Sequence, residues 1–180
     1  MGCHPPVTNH QKSIARLAAE EGGMGFSDEL RAKYAALWDR EKRHPFITGI
    51  GDGSLPLHKF RYYMRQDYLF LIEFCRVVSL AVVKAKDLED MGWFARLLDG
   101  TLNTEMSRHT GFCRDFGISE EELEATVPSP TTLAYTRHLM NIGFAAGVGE
   151  IAASLLPCSL GYYEIGRMLH DRETPAVQLL

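Results

Sequence analysis

Apolar positions recur at intervals of three and four over most of the chain, the spacing that lines one face of an α-helix. Leu30, Tyr34, Leu37 and Trp38 open the first series, with Ser27 the expected N-cap and Asp28 and Glu29 in its first turn. His44-Pro45 is expected to end it, because a residue before proline avoids the α region. GIGDGSLP reads as a glycine-rich turn and lacks the Lys-Ser/Thr of a phosphate loop. A long helix is predicted from roughly Leu57 to Lys86, its stripe formed by Phe60, Tyr63, Phe70, Leu71, Phe74, Val78 and Ala81. The next runs from about Leu88 to Phe116. Ser119 with Glu122 makes a capping box for a short helix that Pro128 stops, and Ser129-Pro130 starts the helix carrying Tyr135 and His138. Gly143, Gly147 and Gly149 suggest a turn or a close helix crossing. The last helix covers roughly Glu150 to His170, with Pro157 inside it.

No segment alternates like a β-strand, so the expected fold class is all-α, a multi-helix bundle of about six helices. Residues 1–25, ending in GGMG, read as a polar extension with no assigned function. Residues 26–180 read as one helical domain. A composition of 46% hydrophobic and 23% charged residues fits a soluble globular protein. The net charge of −4 argues against a nucleic-acid partner, since a phosphate-tracking surface is usually basic. No apolar run reaches the roughly 18 residues of a membrane span. The N-terminus has no continuous apolar stretch of a secretory signal, Pro6 spoils a myristoylation pattern, and Glu20 and Glu21 count against a transit segment. The four cysteines, Cys3, Cys75, Cys113 and Cys158, include no CxxC pair, so reduced thiols in the cytoplasm are the expectation.

Asp67 lies on the aromatic stripe of its helix, in register with Phe60, Tyr63, Phe70 and Phe74. A carboxylate there must be hydrogen-bonded. It is either a structural partner to an arginine or backbone group, or the anchor for an amino-heteroaromatic ring. Cys158 follows Pro157, with Tyr162 on the same face four residues on. A buried cysteine is usually a small hydrophobe. Pro157, however, frees the Ala153 carbonyl and is expected to bend the helix, which would aim the thiol into a cavity. Tyr135 is a further phenol that could join the thiol. Glu105 and His109 form an ExxxH pair that suits either a side-chain hydrogen bond or a metal. A di-iron site would need a second such motif, and none is found. Cys75 and Cys113 read as packing cysteines.

These residues carry a resemblance. HPFITGIGDGSLP, FRYYMRQDY, AKD, TEMSRH, SPTTLAYTRHL and GEIAASLLPCSLGYYEIG, in this order from about Phe26 to His170, are similar to the TenA family of thiaminase II or aminopyrimidine aminohydrolases. The resemblance implies a haem-oxygenase-like helical fold, a homotetramer and a reaction without metal or other cofactor. The implied substrate is thiamin or a salvaged aminopyrimidine, converted to the hydroxymethyl pyrimidine. It implies that Cys158 is the nucleophile, that Asp67 holds the aminopyrimidine edge, and that Tyr135 and Tyr162 position thiol and ring. Phe70 stands where the family often has tyrosine, keeping ring packing without the hydroxyl. From about Pro175 the text stops resembling the family, whose later helices carry a general acid/base glutamate; a weakened enzyme is the expectation. Two other readings remain: a catalytically silent aminopyrimidine-binding or subunit-pairing protein, and a metal-dependent oxygenase built on Glu105 and His109.

Overall fold

The predicted helical series are helices in the computed structural model, which describes residues 25–170. Most of the expected extension, and the chain beyond His170 where the resemblance fades, lie outside the described residues. The elements are α1 (Phe26–Lys33), α2 (Ala35–Lys42), α3 (Pro45–Asp52), α4 (Leu57–Lys84) and α5 (Leu88–Asp99). A π-helical stretch (Gly100–Glu105) leads into α6 (Met106–Asp115), α7 (Glu120–Glu124), α8 (Pro130–Ala145) and α9 (Val148–His170). Among the described residues there is no strand, and the helices outnumber the six expected because several series are interrupted.

The first interruption is at Tyr34, whose φ of −114° and ψ of 24° part α1 from α2. Ser27 is not the cap. The helix begins two residues earlier than that cap would place it, behind an extended Gly25 whose N–H donates to the Asp28 carboxylate at 3.2 Å. The carboxylate supplies the N3 half of a capping box, accepting from the N-cap N–H, while no capping hydroxyl is present. His44-Pro45 ends α2 as predicted, but it also starts α3: Pro45 occupies a first-turn position and His44 Nδ1 accepts from the Phe46 N–H at 3.2 Å. The first half of the predicted glycine turn, Gly49 to Asp52, is therefore helical. A Cβ on buried Gly49 would lie 3.3 Å from the Leu55 backbone, so glycine serves close approach there. Within this stretch it is Gly53, at φ 75°, that uses glycine's left-handed freedom.

The caps of α7 and α8 match the sequence reading. Ser119 Oγ accepts from Glu122 N–H at 3.2 Å while Glu122 returns to Ser119 N–H at 3.0 Å. Ser129 Oγ accepts from Thr132 N–H at 3.1 Å. The helix predicted from Leu88 to Phe116 is divided by the π-helical turn, which the apolar pattern did not mark. A π turn holds an extra residue and so re-phases the helix after it. Downstream, His109 and Cys113, one turn apart, are 7% and 0% exposed.

The described residues form two compact units: Pro56–Pro157, and those up to Leu55 together with those from Cys158. In the unit Pro56–Pro157, Phe74, Val77, Val78 and Ala81 of α4 pack with Phe94, Leu139, Ile151 and Leu155. Each fully buried aliphatic side chain contributes about 1.5–3 kcal/mol of transfer free energy. A second cluster joins Met64, Cys113, Ile118 and Leu123. Gly143 lets α8 cross α4 closely, since a Cβ there would come within 2.8 Å of Leu80 Cδ1. Lys84 Nζ donates to the Phe144 and Ala146 carbonyls at 2.8 and 2.7 Å, which closes the C-terminal end of α8. In the other unit, Glu164 of α9 pairs with Arg31 at 2.8 Å and Lys42 at 2.6 Å.

Candidate functional site

Asp67 and Phe70 lie three residues apart on α4, on one face. Phe70 stacks on Tyr135 of α8 with ring centroids 5.6 Å apart and planes within 7°. Two near-parallel rings at that separation are offset and too close to admit a third ring between them. They form a wall on which a flat heterocycle can lie. Gln66, one residue before Asp67, fixes the start of α8. Its Nε2 donates to the Val127 carbonyl at 3.1 Å and its Oε1 accepts from the Ser129 N–H at 2.8 Å. Those bonds straddle Pro128 and hold the helix that carries Tyr135.

Asp67 Oδ2 is 3.3 Å from His109 Nε2, and the Asp67 side chain is 14% exposed. A histidine, which the sequence did not suggest as a partner, is thus a neighbour of this carboxylate. Nε2 is buried and has no aligned hydrogen bond among the described residues. The carboxylate is near but off the N–H axis, so the contact is electrostatic rather than a well-formed hydrogen bond. On the other edge of the ring, Nδ1 is 3.6 Å from Cys113 Sγ. Burial, and secondarily the Asp67 charge, push the Cys113 thiol up to about 11. Cys75 is also raised, by burial and then by Glu105. Both cysteines are buried, as the packing reading requires.

Glu105 and His109 are the pair that the sequence offered for a hydrogen bond or a metal. The imidazole nitrogens face Asp67 and Cys113. Among the described residues no group of three His, Cys, Asp or Glu side chains is placed to hold a metal ion. The Glu105 carboxyl is raised by desolvation first and by Asp67 second, with His109 and Arg108 pulling it back. The residue as a whole is open to solvent, and that exposure limits what the shift contributes to stability.

Cys158 and Tyr162 belong to the other unit, one turn apart on α9. Pro157 does not end this helix, which runs through it from Val148 to His170. Cys158 is half-buried and Tyr162 is 53% exposed. Of the five residues singled out from the sequence, the structure brings Asp67, Phe70 and Tyr135 together in one unit and carries Cys158 and Tyr162 in the other.

Residues 31–176 match the model of the TENA/THI-4/PQQC family. The chain belongs to that family. It is 45% identical over 143 residues to the aminopyrimidine aminohydrolase of Halalkalibacterium halodurans, an alignment covering 79% of this chain and 64% of that protein. It is 43% identical over 148 residues to that of Bacillus subtilis, covering 82% and 63%. The chain thus spans just under two-thirds of the length of these relatives. The solved structure of a TenA family transcription regulator from Silicibacter sp. TM1040 is 36% identical, with a TM-score of 0.80 over 84% of this chain and 68% of that one. The TENA/THI-4/PQQC chain therefore has the family's helical, haem-oxygenase-like fold. No helix among the described residues is long and apolar enough to cross a membrane.

Two side chains of this TenA-like site escaped the sequence reading. Gln66 was hidden by its neighbour Asp67, although a half-buried amide on an apolar stripe is itself a signal that it is hydrogen-bonded. His109 was weighed only against Glu105. The i, i+4 spacing of His109 and Cys113 was the sequence signal for their contact.

Proposed function

We propose that this chain is a cysteine-dependent aminopyrimidine hydrolase of thiamin salvage, converting a 4-amino-2-methylpyrimidine with a leaving group on its 5-methylene to the hydroxymethyl pyrimidine. The observation that carries the reading is the Asp67 carboxylate one helical turn from the Phe70–Tyr135 wall. An aminopyrimidine offers N–H donors at its edge and a π-face, which suit a carboxylate and an aromatic wall respectively. The names of the two bacterial relatives support the same class. In this reading the Cys158 thiolate adds to the ring and the 5-methylene substituent leaves. Water adds in its place, and departure of the thiolate restores aromaticity. Tyr135 and Tyr162 orient ring and thiol. No metal or cofactor takes part in these steps. The family resemblance extends the reading to a homotetramer, and the cysteine usage extends it to the cytoplasm.

The test is turnover of 4-amino-5-aminomethyl-2-methylpyrimidine and of thiamin by the purified chain, followed by chromatography of the hydroxymethyl product. Cys158→Ser is expected to abolish turnover while leaving binding in place, and Asp67→Asn to weaken binding. Binding that depends on Asp67, with a rate indifferent to Cys158→Ser, would make the chain a binding protein and overturn the hydrolase reading. Sedimentation analysis gives the oligomeric state.

A further inference from the structure

The pair His109–Cys113 has no part in the chemistry above, yet it is buried directly behind Asp67. We propose that His109 is a positioning residue for Asp67: the Cys113 S–H donates to Nδ1, which keeps the ring as its Nε2–H tautomer with that N–H turned toward Asp67 Oδ2. The inference rests on the reading that Asp67 holds the aminopyrimidine edge.

The geometry leaves little choice of neutral tautomer. A neutral imidazole has one donor nitrogen and one acceptor. Were the proton on Nδ1, the Nε2 lone pair would face a carboxylate oxygen at 3.3 Å, acceptor against acceptor. With the proton on Nε2, the donor faces the carboxylate and the lone pair faces Cys113 Sγ at 3.6 Å. Cys113 is wholly buried, and its raised titration keeps it a thiol, able to donate, throughout the neutral range. Tyr68, with its ring centroid 6.4 Å from the imidazole, flanks the ring, and Glu105 is the other carboxylate close enough to interact with both His109 and Asp67. Because Nε2 is 3.3 Å from Oδ2 but out of line, a small rotation of the carboxyl group completes the bond. A carboxylate held at one oxygen offers a ligand one orientation rather than several, which lowers the ordering cost of binding.

The experiment measures calorimetric affinity for 4-amino-5-hydroxymethyl-2-methylpyrimidine together with the ¹⁵N spectrum of the imidazole. His109→Leu is expected to weaken binding by about tenfold, and His109→Gln, whose amide N–H reaches the Nε2 position, to recover most of that loss. In the wild type the ¹⁵N shifts are expected to show the Nε2–H tautomer; Cys113→Ala, which keeps the core apolar, should erode that preference. An Nδ1–H or doubly protonated ring overturns the proposal even where the Leu variant fails to fold. So does equal binding by the Leu and Gln variants. Asp67→Asn separates the two levels: unchanged binding in that variant sinks the site reading itself, whereas weakened binding there with none in His109→Leu sinks only the role of His109.

Discussion

Replacing Gln66 by methionine tests how the aromatic wall is held. Methionine keeps the length and most of the apolar contact, so the change removes the bonds to Val127 O and Ser129 N–H. A neutral hydrogen bond contributes a net of about 0.5–1.5 kcal/mol. Val127 is 79% exposed, so its carbonyl can turn to water and that bond falls at the low end. The Ser129 N–H is half-buried at the start of α8 and falls at the high end. The loss should be about 2 kcal/mol. For a chain of this size, that corresponds to a fall of about 4–8 °C in melting midpoint. Gln66→Glu separates the two bonds. Its carboxylate still accepts from Ser129 N–H, helped by the positive end of α8, but it faces the Val127 carbonyl oxygen. It should therefore lose less than methionine at neutral pH. Urea unfolding followed by circular dichroism gives the free energies. A methionine variant within about 0.5 kcal/mol of wild type, or a glutamate variant less stable than it, refutes the reasoning.

Lys84→Met removes an ammonium from two carbonyls at the end of α8, and should cost about 2 kcal/mol in the same assay, with a smaller cost for Lys84→Arg. Cys113 gives a pH dependence. Its folded-state value, about 11, lies above the ordinary thiol value, so its contribution is fully present below the unfolded value and is lost as pH rises through the folded one. Wild type should thus lose more stability than Cys113→Ala between about pH 9 and 11, as read by unfolding across that range; equal losses would show that Cys113 is not responsible.

Helix starts with a capping hydroxyl and a first-turn proline were legible because their chemistry is local: Ser119 with Glu122, and Ser129-Pro130, fall where the sequence puts them. Gly49 was misread because a glycine needed for close approach to Leu55 and one needed for a left-handed turn look alike in a sequence. The π turn left no trace in apolar spacing, which does not record where a helix takes up an extra residue. At the site, Asp67 stood out as a charge on an aromatic stripe, whereas the stacking of Phe70 on Tyr135 was not legible, because the sequence does not say which helices face each other. Gln66 and His109 act across 60 and 40 residues or so of intervening chain, and no local pattern encodes such pairings.

The wide turn at Gly100–Glu105 has a consequence for inheritance. Deleting one residue there would rewind the stretch as ordinary α-helix, and because the wide turn had already absorbed that residue, everything after it would keep its facing. His109 and Cys113 would then stay in the interior. A homologue with a one-residue gap at that place should retain both side chains, whereas the same gap in the regular helix on either side would turn them both toward water.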